Sequence, residues 1–354
     1  MSIVTILGAG LMGSALAYPL SDKGHEVRLV GTHLDGPTIE SCRSRRFHPR
    51  LRRELPPNAS AFPHARLDEA LEGASIVVSG VNSLGVHWAG RELGPRLRAG
   101  QVLIAVTKGL EAAPDGEPLI LPEVLRGELP PAIRESIPIA AIGGPCIAGE
   151  LAGRRQSFVM FGCPDAAALE LLVRAFATDY YHPIPTADLA GLELCAALKN
   201  AYTLGVGLAA GMLEAAGGVD GAEAHMHNLA AALFAEGTTE MARLLGALGR
   251  RRELAYMLPA AGDLYVTAMG GRTVKLGRLL GSGKSFAEAR SILEGETLEA
   301  AEIVKAMARI LPALEARGAV GPGELPLLRA LVGIVARGEP AGLDFARLAR
   351  GLAG

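Results

Sequence analysis

The stretch SIVTILGAGLMGSALAYPLSDKG, residues 2–24, decides the fold. Residues 2–7 form a β-branched apolar run, which predicts a strand. Gly8-Ala9-Gly10-Leu11-Met12-Gly13 follows as a glycine-rich turn, and the next segment has helical character and stops at Gly24. A second strand is predicted over Glu26–Val30. The glycines have separate jobs in such a βαβ unit. Gly8 permits the tight turn, Gly10 admits a pyrophosphate close to the backbone, and Gly13 lets helix and strand pack. The helix N-terminus, with Leu11 and Met12 in its first turn, offers unpaired N–H groups to phosphate. A lone glycine fingerprint is a weak signal, but here it stands in its full strand–turn–helix–strand context. The reading is a dinucleotide-binding, Rossmann-like domain.

Working outward, the second strand ends in Val30-Gly31-Thr32-His33, and the nearest acid is Asp35. An acid at this point would bond a ribose 2′-hydroxyl and repel a 2′-phosphate. Its absence leans the cofactor toward NADP over NAD, with Thr32 and His33 as donors and Arg43, Arg45 or Arg46 as nearby cations. Residues 36–70 are polar and rich in Pro and Arg and read as a solvated loop. Strand patterning returns at 74–81, 102–107, 137–142, 157–161 and 180–184, with a helical segment over 85–97. Strands alternating with helices imply a mostly parallel sheet, whose ligands bind beyond the carboxyl ends of the strands. Loops at Val81-Asn82-Ser83, Thr107-Lys108-Gly109 and Gly144-Pro145-Cys146 fall there.

After about residue 187 the strand signal stops, and helical patterns run over 188–211, 223–249, 286–313, 324–336 and 343–352. The expected organisation is an α/β domain over 1–187 followed by an all-α domain over 188–354. At 354 residues, two domains are the default. Thirty-five Lys and Arg against 37 Asp and Glu leave a formal charge of -2, so there is no global electrostatic case for nucleic acid or an anionic membrane. Cys42, Cys146, Cys163 and Cys195 lack metal-site or disulfide spacing and read as free thiols; no metal is expected. The chain starts directly in a strand, which points to the cytoplasm. The apolar surfaces of the helical domain are compatible with a homodimer.

Residues 191–211, GLELCAALKNAYTLGVGLAAG, are almost as apolar as a membrane span yet contain Glu193, Lys199 and Asn200. A buried lysine is costly unless paired, because desolvation disfavours its charge. No second segment of this kind accompanies it, so a buried helix is the better reading than a membrane span. From the residues alone, a catalytic lysine and a structural lysine paired with Glu193 or Asp263 weigh about equally. The loop Pro259–Gly277, PAAGDLYVTAMGGRTVKLG, places an acid, a hydroxyl and Arg272 among glycines, with a helix starting near the arginine. Arginine and a helix terminus suit a phosphate.

An ordered set of further motifs covers nearly the whole chain: TKGLE at 107–111, GGPCIAGE at 143–150, AALKNAY at 196–202, GDLYVT at 262–267, GGRTVKLGRLLG at 270–281 and LEGET at 293–297. Together with the glycine loop they resemble the NAD(P)-dependent glycerol-3-phosphate dehydrogenase family. The resemblance implies interconversion of dihydroxyacetone phosphate and sn-glycerol 3-phosphate, feeding glycerophospholipid synthesis. It implies that Lys199 exchanges the proton of the C2 oxygen, with Asn200 beside it, Lys108 as a second active-site lysine, and Asp263 and Thr267 orienting the first. It assigns the phosphorylated substrate to Lys108, Gly144, Lys199, Asp263, Gly271, Arg272 and Thr273. Ala148, Lys108, Arg272 and Glu294 are implied on the cofactor side. The chemistry is consistent: hydride leaves for the nicotinamide while a base takes the hydroxyl proton, and burial with Lys108 nearby would tune Lys199 toward that task. Thr273 stands where the family usually has asparagine, and Cys146 where serine or threonine commonly follows Gly-Pro. Both departures lie on the substrate side, so another polyol phosphate or a hydroxy acid is the alternative substrate. A nucleotide-binding protein without catalysis is the alternative class.

Overall fold

The computed structural model describes residues 1–352, so the last two residues of the expected helical domain lie outside the described part. The chain divides into two compact units. One comprises Met1–Lys108 and Ile120–Glu193; the other comprises Gly109–Leu119 and Leu194–Gly354.

The first unit is built on an eight-stranded sheet. Its strands are β1 (Ile3–Leu7), β2 (Glu26–Val30), β3 (Ala59–Phe62), β4 (Ala74–Ser79), β5 (Val102–Ala105), β6 (Ile139–Gly143), β7 (Ser157–Gly162) and β8 (Tyr181–Thr186). Their spatial order is β8-β7-β6-β5-β4-β1-β2-β3. All pairings are parallel except β6 with β7, so the mostly parallel sheet read from the sequence is present. Helices cover the sheet, and the central strands are correspondingly apolar: Val4, Ile6, Leu29, Ile76, Val78 and Ile104 are buried. The outer strand β8 carries Pro183 and Pro185, which lack the N–H groups that a further strand would need.

Residues 36–70, read as a loop, hold more order than their composition suggests. Helix α1 (Leu11–Asp22) is followed, after β2, by α2 (Gly36–Arg45), and Ala59–Phe62 joins the sheet as its edge strand. Ala-Ser-Ala-Phe has little strand preference of its own. It is extended because the register Val27↔Ala59 to Val30↔Phe62 satisfies its backbone.

The second unit is helical apart from a small ribbon. The ribbon pairs Leu110–Ala112 with Pro118–Ile120, and its residues 109–119, read in the sequence as part of the first half, cluster with this unit instead. The principal helices are α3 (Leu189–Ala215), α4 (His227–Ala247), α5 (Asp263–Ala268), α6 (Arg272–Gly281), α7 (Glu299–Ala316), α8 (Pro326–Ala336) and α9 (Phe345–Leu352). Gly116 in the ribbon sits against Ala313 of α7, and Arg317 pairs with Glu117.

Helix α3 contains the apolar run with the buried lysine. Among the described residues no helix is long and apolar enough to cross a membrane. The glycines of the run have a packing role. A Cβ at Gly207 would lie 2.8 Å from the Val274 carbonyl, and one at Gly211 only 2.0 Å from the Arg278 carbonyl. On the facing helix, a Cβ at Gly277 or Gly281 would lie 2.3 and 2.2 Å from the carbonyls of Leu204 and Leu208. Helices α3 and α6 therefore touch backbone to backbone over one turn of glycines on each side. That contact fixes the start of α6, and with it Arg272, relative to the helix that carries Lys199.

Candidate active site

The nucleotide-binding loop follows from β1. Gly8 has φ +110°, and a Cβ there would meet the Gly80 backbone at 2.8 Å. A Cβ at Gly13 would lie 2.9 Å from the Gly8 carbonyl, so that glycine is needed for the packing of helix on strand. Gly10 differs: a Cβ there would make only an ordinary 3.6 Å contact with Gly80. Nothing inside the protein demands glycine at position 10, which fits a position kept bare for a ligand's close approach. Gly10 is the N-cap of α1 and supplies no side-chain hydrogen bond, leaving the first N–H groups of the helix available to a pyrophosphate. Leu11 is exposed and Met12 half-buried in that first turn.

At the end of β2, Gly31 leaves no acid beside the ribose position, and a Cβ there would meet Ile39 at 2.5 Å. Asp35 turns back into the fold. Its Oδ2 accepts from Ala9 N at 3.1 Å, Thr32 N at 2.9 Å and the Thr32 hydroxyl at 2.8 Å. It thereby ties the β2 exit to the glycine loop, and the Thr32 hydroxyl spends its proton on this carboxylate. His33 is exposed and meets Trp88 edge-on, with ring centroids 5.4 Å apart. The arginines expected nearby are engaged locally. Arg46 donates to the carbonyls of Leu55, Pro56 and Pro57, Arg45 to Ser41, and Arg43 pairs with Glu40. Asp35 was noted in the sequence only as the nearest acid. The buried His48, which lies 3.2 Å from the Ala9 carbonyl, gave no sequence signal at all.

Elsewhere in this unit, Lys108 follows β5 and is half-buried, its Nζ donating to the Gly144 carbonyl at 3.3 Å. Gly144, with φ +127°, follows the last residue of β6, and Cys146 and Ala148 come after it, both half-buried. Three of the residues that the sequence placed beyond strand ends are thus neighbours in one unit.

In the helical unit the buried lysine has found partners. Lys199 is only 5% exposed. Its Nζ donates to Asp263 Oδ1 at 3.1 Å and to the Thr267 hydroxyl oxygen at 2.7 Å. Thr267 in turn donates to the Asp263 carbonyl at 2.7 Å. Asp263 opens α5 directly after a π-helical turn over Leu258–Gly262, which delivers its carboxylate into the core at 4% exposure. Asn200 is also buried, and its Nδ2 lacks a hydrogen-bond partner among the described residues. The structure therefore joins Lys199, Asp263 and Thr267, which lie 64 and 68 residues apart.

Gly271, at φ +98°, caps the start of α6 without a side-chain bond, and Arg272 is the first residue of that helix. Arg272 is half exposed and lies 4.0 Å from Glu299, too long for a strong pair. An anion at this terminus would meet the guanidinium, the helix N–H groups and the half-buried Thr273. Glu294 is exposed in the turn between Phe286–Ile292 and α7.

The profile described as NAD-dependent glycerol-3-phosphate dehydrogenase N-terminus matches residues 3–169, and its C-terminal counterpart matches residues 188–342. The chain belongs to the NAD-dependent glycerol-3-phosphate dehydrogenase family. The NADP(+)-dependent glycerol-3-phosphate dehydrogenase of Archaeoglobus fulgidus is 37% identical over 292 residues, 82% of this chain and 84% of that one. A glycerol-3-phosphate dehydrogenase [NAD(P)+] of Nitratidesulfovibrio vulgaris is 30% identical over 343 residues, covering 95% and 94% of the two chains. Among solved structures, glycerol-3-phosphate dehydrogenase from Coxiella burnetii superposes with a TM-score of 0.78 at 25% identity, over 99% of this chain and 98% of that one. The family is one of NAD(P)-dependent oxidoreductases with a Rossmann-like N-terminal and a helical C-terminal part, as the fold described above requires.

Proposed function

We propose that the protein interconverts sn-glycerol 3-phosphate and dihydroxyacetone phosphate with Lys199 as the proton acceptor and donor. The observation that carries this reading is the buried Lys199, held by both Asp263 and Thr267. Oxidation of a secondary alcohol removes a hydride from carbon and a proton from oxygen. A bound nicotinamide cofactor supplies the hydride acceptor. The protein's own residues handle the proton: the Lys199 amine takes it from the C2 hydroxyl, and in the reverse direction the ammonium returns it to the developing alkoxide. Asp263 and Thr267 hold Nζ in one place, so the proton travels along a fixed line. Within the helical unit, Arg272, Gly271 and Thr273 at the start of α6 take the phosphate, and Asn200 beside Lys199 takes an oxygen function of the substrate.

The glycine loop, with Gly8, Gly10 and Gly13, binds the pyrophosphate in this reading. NADPH is the preferred cofactor: Gly31 stands in place of a ribose-binding acid, and His33 is left to meet a 2′-phosphate. The A. fulgidus relative, named as NADP(+)-dependent, supports that preference. The reaction would run in the cytoplasm and supply the glycerol phosphate backbone for glycerophospholipids.

Steady-state oxidation of NADPH and NADH with dihydroxyacetone phosphate tests the proposal. Turnover with this ketone, and a fall in kcat of ~10³-fold in Lys199→Met with NADPH binding intact, is the expected result. Turnover only with another carbonyl, or undiminished turnover in Lys199→Met, would overturn it.

A further inference from the structure

The arginine-rich segment after α2 holds a fully buried histidine. His48 lies in a short ribbon in which Phe47–His48 pair antiparallel with Arg53–Glu54. The ribbon is tied down from two helices. The Ser41 hydroxyl of α2 donates to the Phe47 carbonyl at 2.7 Å, and the Tyr18 hydroxyl of α1 donates to the Glu54 carbonyl at 2.6 Å. Both ring nitrogens of His48 are engaged. Nδ1 accepts from the Leu51 N–H at 3.1 Å, so the proton of the neutral ring stands on Nε2, which donates to the Ala9 carbonyl at 3.2 Å. Burial lowers the pKa of the imidazole and so favours this neutral form.

Ala9 is the second residue of the glycine loop and is itself fully buried. Its N–H donates to Asp35 at 3.1 Å, so one backbone group is held from the β2 exit and the other from the ribbon. The Ala9–Gly10 peptide is trans, and its carbonyl oxygen and the Gly10 N–H therefore point in opposite directions. With the oxygen held by His48, the Gly10 N–H is turned away from the ribbon, at the loop residue that packing leaves bare. We infer that His48 is a positioning residue for the cofactor: it fixes the peptide plane that aims the Gly10 N–H and the start of α1 at the pyrophosphate. The inference rests on the proposed pyrophosphate role of the glycine loop. An apolar side chain could fill the same space, but it would remove the donor to Ala9 and leave the plane free to turn.

The test measures NADPH and NADH dissociation constants by fluorescence titration, with steady-state KM and kcat, in wild type, His48→Asn, His48→Gln and Gly10→Ala. Asparagine places an acceptor where Nδ1 meets Leu51 and offers nothing at the Nε2 position; glutamine brings an amide N–H to that position. In His48→Asn both dissociation constants should rise roughly tenfold, and by the same factor, because the pyrophosphate is common to the two cofactors. KM for NADPH should follow, while kcat at saturating NADPH falls far less. His48→Gln should recover most of the affinity. Wild-type binding in a His48→Asn protein that melts as a folded one, a loss confined to NADPH, or a loss that His48→Gln does not recover would overturn the inference. If neither variant folds, nitrogen NMR of the wild-type ring decides: a proton on Nε2 supports the inference, and a proton on Nδ1, which leaves no donor toward Ala9, overturns it. Gly10→Ala separates the two levels, since a Cβ there makes only a 3.6 Å contact with Gly80. Unchanged NADPH binding in Gly10→Ala sinks the pyrophosphate role of the loop itself. Weakened binding there with wild-type binding in His48→Asn sinks only the role of His48.

Discussion

Two acids are buried side by side with apolar helices in the second unit, and they are satisfied in opposite ways. Asp263 faces a lysine: the Lys199 ammonium and the Thr267 hydroxyl group form a compact, charge-compensated cluster with it. Glu240 on α4 is met by backbone instead. Its two oxygens accept from Leu327 N at 2.6 Å and Leu328 N at 2.9 Å, in the first turn of α8. One turn earlier on α4, Glu236 is also buried, with both oxygens lacking partners among the described residues. Burial and its like-charged neighbour raise the Glu240 carboxyl well above the ordinary 4.5. Glu236 moves in the same direction, chiefly through burial. A pair of carboxyls this close cannot both ionise cheaply in the core. The difference is instructive. A buried acid opposite a cation holds that cation still, which is useful for chemistry. A buried acid opposite backbone N–H groups caps a helix and ties α4 to α8, which is useful for architecture.

The largest effect should come from breaking the charge-compensated cluster on one side only. Asp263→Leu leaves Lys199 buried without its carboxylate and should cost about 3–5 kcal/mol of stability, measured by denaturant unfolding. Adding Lys199→Met to it should restore most of that stability and none of the activity. A double variant as unstable as the single one would mean that the pair is not a mutually compensating unit.

A smaller effect is expected at the other acid. Glu240→Leu strands the N–H groups of Leu327 and Leu328 and should cost about 1–3 kcal/mol, with kcat and KM of the surviving folded protein unchanged. A change in kcat would erase the distinction drawn between the two regions.

The smallest effect is a slope. Because the folded-state Glu240 and Glu193 carboxyls sit above the unfolded value of 4.5, the folded protein holds protons that the unfolded chain has already released. Stability should therefore be greatest at the acid end of this window, decline as pH rises from about 4.5, and level off above about 8. Glu240→Gln should flatten that decline in part. A melting temperature that rises across the same range, or a slope unaffected by Glu240→Gln, would contradict the assignment.

Much of this was legible beforehand because local rules carry it. The strand–glycine–helix sequence of residues 2–24 fixes its own turn, since Gly8 must take a positive φ and Gly13 must pass close to the Gly8 carbonyl. Apolar runs of the right length mark β2, β4, β5, β6 and β7, and the buried lysine at 199 announces itself by being misplaced in its helix. Other features left no local trace. Ala59–Phe62 is a strand because β2 needs a neighbour, and Gly207, Gly211, Gly277 and Gly281 look like weak helix residues until two helices are seen in contact. Thr32 reads from the sequence as a donor for a phosphate, and only the fold shows its hydroxyl donating to Asp35.

The sequence by itself therefore determined the order of the elements, the nucleotide loop and the residue types of the site, because propensity, periodicity and glycine stereochemistry act over a few neighbouring residues. Only the tertiary structure decided who pairs with whom. Lys199 takes Asp263 and Thr267 from a helix more than sixty residues away, and Glu240 takes the N–H groups of a helix 87 residues on. The Glu193 carboxyl, six residues before Lys199 on the same helix, receives no hydrogen-bond partner among the described residues. Burial makes each of these pairings matter, and burial is a property of the folded chain, which no stretch of residues has alone.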